Sequence, residues 1–84
     1  MKLDDIDLRR LRYFLVVAQE LHFTRAAEKI GIRQPPLSMQ IRKLEETIGA
    51  RLFIRHSRSV ELTPAGREFQ AAAIDIVARL EDAV

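Results

Sequence analysis

The chain has 84 residues, 14 lysines and arginines against 12 aspartates and glutamates, and no cysteine. That length allows one small domain with one core, and the lack of cysteine excludes a disulfide framework and any thiolate zinc site. Apolar residues make up 48% of the chain, too many for a disordered segment, and the polar, acidic start Met1–Asp7 is unlike a secretory leader, so a cytoplasmic location is expected.

The net charge of +2 hides an uneven distribution. Thr24–Ser59 holds eight basic and three acidic residues, a net of +5, which leaves −3 for the flanks. A basic centre between acidic ends suits a polyanionic partner.

Asp7 is placed to cap a first helix over Leu8–Leu21. Leu8, Leu11, Phe14, Leu15, Ala18 and Leu21 recur at the three-, four- and seven-residue spacings of one helix face, while Arg9, Arg12, Gln19 and Glu20 fall away from it. His22-Phe23 reads as a break. Thr24 is the expected N-cap of a short second helix, Arg25–Ile30, whose Ala26 and Ala27 allow close approach and which Gly31 ends. Ile32-Arg33-Gln34 forms the turn. Pro35 and Pro36 then open a third helix, in a first turn where a missing N–H costs nothing. It runs to about Ile48, with Leu37, Ile41, Leu44 and Ile48 as its apolar stripe and Gly49 as its stop.

The period changes in Arg51–Thr63. Two short alternating runs flank His56-Ser57-Arg58-Ser59, the pattern of a hairpin anchored by Leu52 and Phe53. Thr63-Pro64 is a strong helix start, and Ala65, Phe69, Ala72, Ala73, Ile76, Leu80 and Ala83 form a stripe on the helix that follows. At about 30 Å this helix outruns so small a domain, and its apolar face calls for a second copy of itself. The expected architecture is mainly α: a winged helix-turn-helix of three helices and a two-stranded wing over residues 1–63, then a linker and dimerisation helix over 64–84.

A stiff helix with a sealed apolar side offers its other side to the DNA major groove. On that side lie Pro35, Ser38, Met39 and Arg42, with Lys43 at the edge. Arg33 or Arg42 suits guanine, Gln34 adenine, Ser38 either, and Met39, Pro35 and Pro36 a thymine methyl. Arg55 and Arg58 at the hairpin tip suit phosphate or a narrow minor groove, and Thr24 at a helix N-terminus suits phosphate. Phe69, Ala72, Ala73, Ile76 and Leu80 are the expected dimer contacts. His22 and His56 have no carboxylate or cysteine at ligand spacing, no nucleophile–base set is visible, and the three glycines form no phosphate loop, so neither metal, cofactor nor enzymatic activity is expected. A winged-helix protein-interaction module using the stripe of Phe69, Ile76 and Leu80 is the competing expectation.

In order and spacing, FTRAAE, QPPLS-x-QI, LE-x-x-IG, LF-x-R and LTPAG resemble the N-terminal domain of LysR-type transcriptional regulators from Leu8 onward. The resemblance implies a winged helix-turn-helix, bacterial gene regulation on promoter DNA, and a linker helix that pairs two protomers, with tetramers in longer chains. It places base reading on Gln34, Pro35, Pro36, Ser38 and Met39 and wing contacts on Arg55 and Arg58. It also implies a C-terminal effector domain, absent from these residues, as the seat of any small-molecule inducer. Three positions depart from the usual pattern: Arg33 replaces a small residue, Met39 an arginine, and Ile54 an acid.

Overall fold

The computed structural model describes residues 3–84; Met1 and Lys2, which the first expected unit includes, lie outside the described residues. After a 3-10 turn at Leu3–Asp5 come α1 (Leu8–Glu20), α2 (Phe23–Ile30), α3 (Gln34–Ile48), β1 (Phe53–Arg55), β2 (Val60–Leu62) and α4 (Pro64–Ala83). The strands pair antiparallel, with Phe53 opposite Leu62 and Arg55 opposite Val60. The winged helix-turn-helix with a long final helix is therefore the observed architecture.

Asp7 caps α1 as expected, its carboxylate accepting from the Arg10 amide at 2.8 Å. The helix stops one residue early, because Leu21 takes a left-handed conformation with φ of 53°. For a non-glycine residue that costs about 1–2 kcal/mol. Two hydrogen bonds hold it there: the Leu21 N–H donates to the Val17 carbonyl, and the Leu21 carbonyl accepts from Val60 at the start of β2.

The start of α2 corrects the expectation for Thr24. His22 is the N-cap, its Nδ1 accepting from the Arg25 amide at 3.1 Å, and Thr24 is the second residue of the helix. Beginning at Phe23 places that ring in edge contact with Phe53, with centroids 6.2 Å apart, and this aromatic packing sets the boundary.

Arg33 before α3 is extended, as a residue preceding this turn must be, and makes no side-chain cap. None is needed at two of the first-turn positions, since Pro35 and Pro36 carry no N–H. Leu37, Ile41 and Leu44 are fully buried, each contributing about 1.5–3 kcal/mol by leaving water. They meet Phe14, Val17 and Ala18 of α1, Ala26 and Ala27 of α2, Leu52 just before the hairpin and Phe53 of β1 in one core.

The four phenylalanines form a continuous row. Phe69 of α4 meets Phe14 at 5.0 Å, Phe14 meets Phe53 at 5.3 Å, and Phe53 meets Phe23. The core thus does not end at residue 63: Ala73 belongs to it, and Ala65 and Phe69 pack against it. This corrects the expected dimer stripe, because Phe69 is half-buried against Phe14 and Ala73 is wholly enclosed within the protomer. Ala72 stays exposed beside Ala73, and Ile76 and Leu80 stay exposed on the part of α4 that extends past the core.

Gly66 is needed for close approach. A Cβ there would sit 2.1 Å from the Leu52 carbonyl oxygen and 3.0 Å from Leu62 Cδ2. The obstruction is backbone and cannot swing aside. Gly66→Ala is expected to destabilise the fold by at least about 1–3 kcal/mol through overpacking. The check is a thermal melt, whose midpoint should fall by about 4–8 °C for each kcal/mol lost.

Candidate nucleic-acid interface

Helix α3 is held along both flanks by arginines from neighbouring elements. On one side Arg10 of α1 donates from Nε to Gln40 Oε1 at 2.8 Å, and from Nη1 to the Asp5 carbonyl. On the other side Arg55 of β1 donates from Nη1 to Ser38 Oγ at 2.7 Å. Between these flanks the outer face is open. Pro35, Pro36, Met39, Arg42, Lys43 and Glu46 are exposed, and Met39 retains 53% of its free accessibility. Arg33 is exposed at the entry to the helix, while Gln34 and Ser38 are half-buried beside the hairpin.

Thr24, Gln34, Arg55 and Arg58, far apart in sequence, line one crevice of about 400 Å³ between the start of α2 and the hairpin. His22, Phe23, His56, Ser57, Ser59 and Val60 complete its walls. Thr24 and Arg58 are exposed there. Because His22 occupies the Arg25 amide, the unshared positive end of α2 lies at the Phe23 and Thr24 amides, which favours an anion. Met39, Arg42 and Lys43 lie outside this crevice, on the open face of α3.

Arg55 is not at the hairpin tip. It ends β1 and folds back onto the helices, with 22% of its side chain exposed. Its guanidinium carbon lies 4.4 Å from the centre of the Phe23 ring, a cation–π contact. Nη2 is buried without a hydrogen bond, 4.0 Å from Glu45 Oε1, so attraction to Glu45 there is purely electrostatic. Burial lowers the pKa of Arg55 most; Arg42 and Arg51 push it the same way, and Glu45 opposes them. A guanidinium keeps its proton regardless, so this is a confined cation.

Glu45 and Phe23 are the site residues that the sequence reading missed. Glu45 Oε2 accepts from the Leu52 amide at 2.8 Å and the Phe53 amide at 3.3 Å, joining α3 to the first strand of the hairpin. One signal was available: Glu45 lies seven residues after Ser38, two helical turns along the same flank. His56 was also read as lacking a carboxylate neighbour, but hairpin folding brings Glu61 Oε2 to 2.5 Å from its Nε2. Among the described residues no group of three His, Cys, Asp or Glu side chains is placed to hold a metal ion. No helix there is long and apolar enough to cross a membrane.

Glu45→Ala is expected to leave two partly buried amides and the Arg55 charge without their partner. Each orphaned amide costs about 1–3 kcal/mol. Urea unfolding should show the loss, and amide hydrogen exchange at Leu52 and Phe53 should accelerate ahead of the α1 core.

Comparison with known proteins agrees with this geometry. The family model for the bacterial regulatory helix-turn-helix protein of the lysR family matches residues 8–67. The HTH-type transcriptional regulator YnfL of Escherichia coli K12 is 56% identical over 79 residues, covering 94% of this chain and 27% of the relative. The HTH-type transcriptional regulator BudR of Klebsiella aerogenes is 58% identical over 78 residues, 93% of this chain and 54% of the relative. The chain therefore spans between about a quarter and a half of the length of these relatives. Among solved structures, the DNA-binding domain of BenM in complex with catB site 1 DNA superposes with a TM-score of 0.87 at 47% identity, covering 92% of this chain and 83% of that one. The CbnR DNA-binding domain in its DNA complex gives 0.90 at 33% identity, covering 93% and 90%. The match over most of the chain, and relatives above half identity, establish that this protein belongs to the LysR family of bacterial helix-turn-helix regulators.

Proposed function

We propose that the chain binds double-stranded promoter DNA sequence-specifically, as the DNA-binding part of a bacterial transcriptional regulator in the cytoplasm. The observation that carries this reading is the two-sidedness of α3: Leu37, Ile41 and Leu44 are sealed in the core, and the opposite face is exposed and bears Arg42 and Lys43. The related BenM and CbnR domains were solved as DNA complexes, which supports the same use of the fold here.

In this reading α3 enters the major groove. Gln34 pairs with adenine, Arg33 or Arg42 with guanine, Ser38 with a polar base edge, and Pro35, Pro36 and Met39 contact a thymine methyl. Lys43, Arg58 and the start of α2 at Thr24 meet phosphates, and Arg58 on the hairpin is also placed to enter a narrow minor groove. Residues 64–84 serve as the linker helix of a homodimer, with Ala72, Ile76 and Leu80 as the face left for the second protomer, and longer chains assembling as tetramers. A small-molecule inducer belongs to an effector domain outside these residues.

The affinity for duplex should fall linearly on a log–log plot against salt, by about 0.9 for each phosphate neutralised. Arg58→Ala is expected to weaken specific and random duplexes alike and to flatten that slope by about one per protomer. Gln34→Ala should instead relax preference at one base pair by about 1–3 kcal/mol and leave the slope alone. Fluorescence anisotropy across a salt series separates the two, and identical behaviour of the variants would contradict the assignment.

Replacing Ile76 and Leu80 together with lysine should separate the protomers without unfolding them, because both side chains are already exposed. Sedimentation equilibrium would show a monomer with native helix content and a reduced affinity for paired half-sites. An unaltered dimer would place the interface elsewhere.

A further inference from the structure

The inward turn of Arg55 has a use beyond holding the hairpin. It reaches the one hydroxyl on the part of α3 proposed to read bases, and three constraints fix it there. The Phe23 ring lies under the guanidinium. Glu45, tied to the Leu52 and Phe53 amides, draws it from the side. Ser38 Oγ accepts from its Nη1.

A serine hydroxyl has one hydrogen to donate and two lone pairs to accept with. Here one lone pair is occupied by a donor that is always charged. The hydroxyl hydrogen must point away from Arg55, and the nearby positive charge opposes a second donor approaching the oxygen. We propose that Arg55 is a positioning residue for base reading, holding the Ser38 hydroxyl in place with its hydrogen turned outward so that Ser38 acts as a donor to a base acceptor. This rests on the reading of α3 as the element in the major groove. It assigns Arg55 a role in specificity through Ser38, distinct from the phosphate contact its charge alone suggests.

The two roles separate in Arg55→Lys. Lysine keeps the charge but has neither the planar fork nor the reach to span Phe23, Ser38 and Glu45 together. A phosphate contact would survive the change. A positioning role would not.

The experiment is selection of this chain and its variants on a duplex pool randomised across the bound region, with affinities for the selected duplexes measured over a salt series. Ser38→Ala should lose preference at one base-pair position. Arg55→Lys should lose preference at that same position by a comparable factor, with its salt slope unchanged, and should add little in a Ser38→Ala background. Circular dichroism at the assay temperature checks folding. If Arg55→Lys does not fold, Phe23→Leu provides the second test, since it removes the supporting ring but leaves Arg55 in place; it should relax the same position.

Loss of preference in Ser38→Ala with full retention in a folded Arg55→Lys, or in Phe23→Leu where that variant replaces it, would overturn the positioning role and leave base reading by α3 intact. Arg55→Gln, which removes the charge as well, should also leave the salt slope unchanged; a slope flattened by about one per protomer in a folded Arg55→Gln would overturn the positioning role in favour of a phosphate contact. No change of preference in Ser38→Ala would remove the contact that Arg55 is held to serve. Failure of every form of the chain to bind any duplex would instead overturn the DNA-binding reading itself.

Discussion

The arrangement depends on the complete burial of one side of α3. Leu37, Ile41 and Leu44 have no accessible surface left, so the helix cannot roll without opening the core. Moving any one of the three into water costs about 1.5–3 kcal/mol, a sizeable part of the roughly 5–15 kcal/mol that holds a domain folded, and rolling the helix would move all three. The direction of everything on the opposite face is therefore set first by apolar packing. The paired prolines act on the same constraint from the other end. They shape the entry to the helix and leave Gln34 as the one residue before Leu37 there with a free backbone donor.

Burial sets the roll of the helix, and polar contacts fix its flanks. Arg10 and Arg55 grip it from opposite sides, and Glu45 joins it to the hairpin through two amides. The aromatic row continues this connection across the molecule. From Phe69 on α4 it passes through Phe14 and Phe53 to Phe23, and the guanidinium of Arg55 lies against the last ring. A hairpin of two three-residue strands has little stability of its own. It stands here because Phe53 and Val60 are in the core and because Leu21 and Glu45 hold its backbone.

The sequence was most informative where a local rule and the apolar period agreed. The Asp7 and Thr63 caps, the Gly31 and Gly49 stops and the span of α3 were all legible, since each depends on residues within one turn of each other. The boundary at His22 was not, because threonine is the better cap by type and the deciding factor was the docking of the Phe23 ring on a distant strand. Arg55 was misplaced for the same reason: a charged residue near a turn reads as exposed unless its partners Ser38, Glu45 and Phe23 are already known. The stripe on α4 was correct as a period but divided in use, with Phe69 and Ala73 taken by the protomer and Ile76 and Leu80 left outside. Gly66 gave no local signal, since its constraint is the Leu52 carbonyl across a chain reversal.

The most direct measurement of the central claim is an amide chemical-shift map of the labelled chain titrated with duplex DNA. If the sealed side of α3 fixes its open side as the reading surface, the largest changes fall on Arg33–Lys43, on the start of α2 and around Arg58, with Leu11, Phe14 and Val17 unmoved. Changes concentrated on the outer half of α4 with α3 silent, or spread through the core as if the helix had rolled, would contradict it.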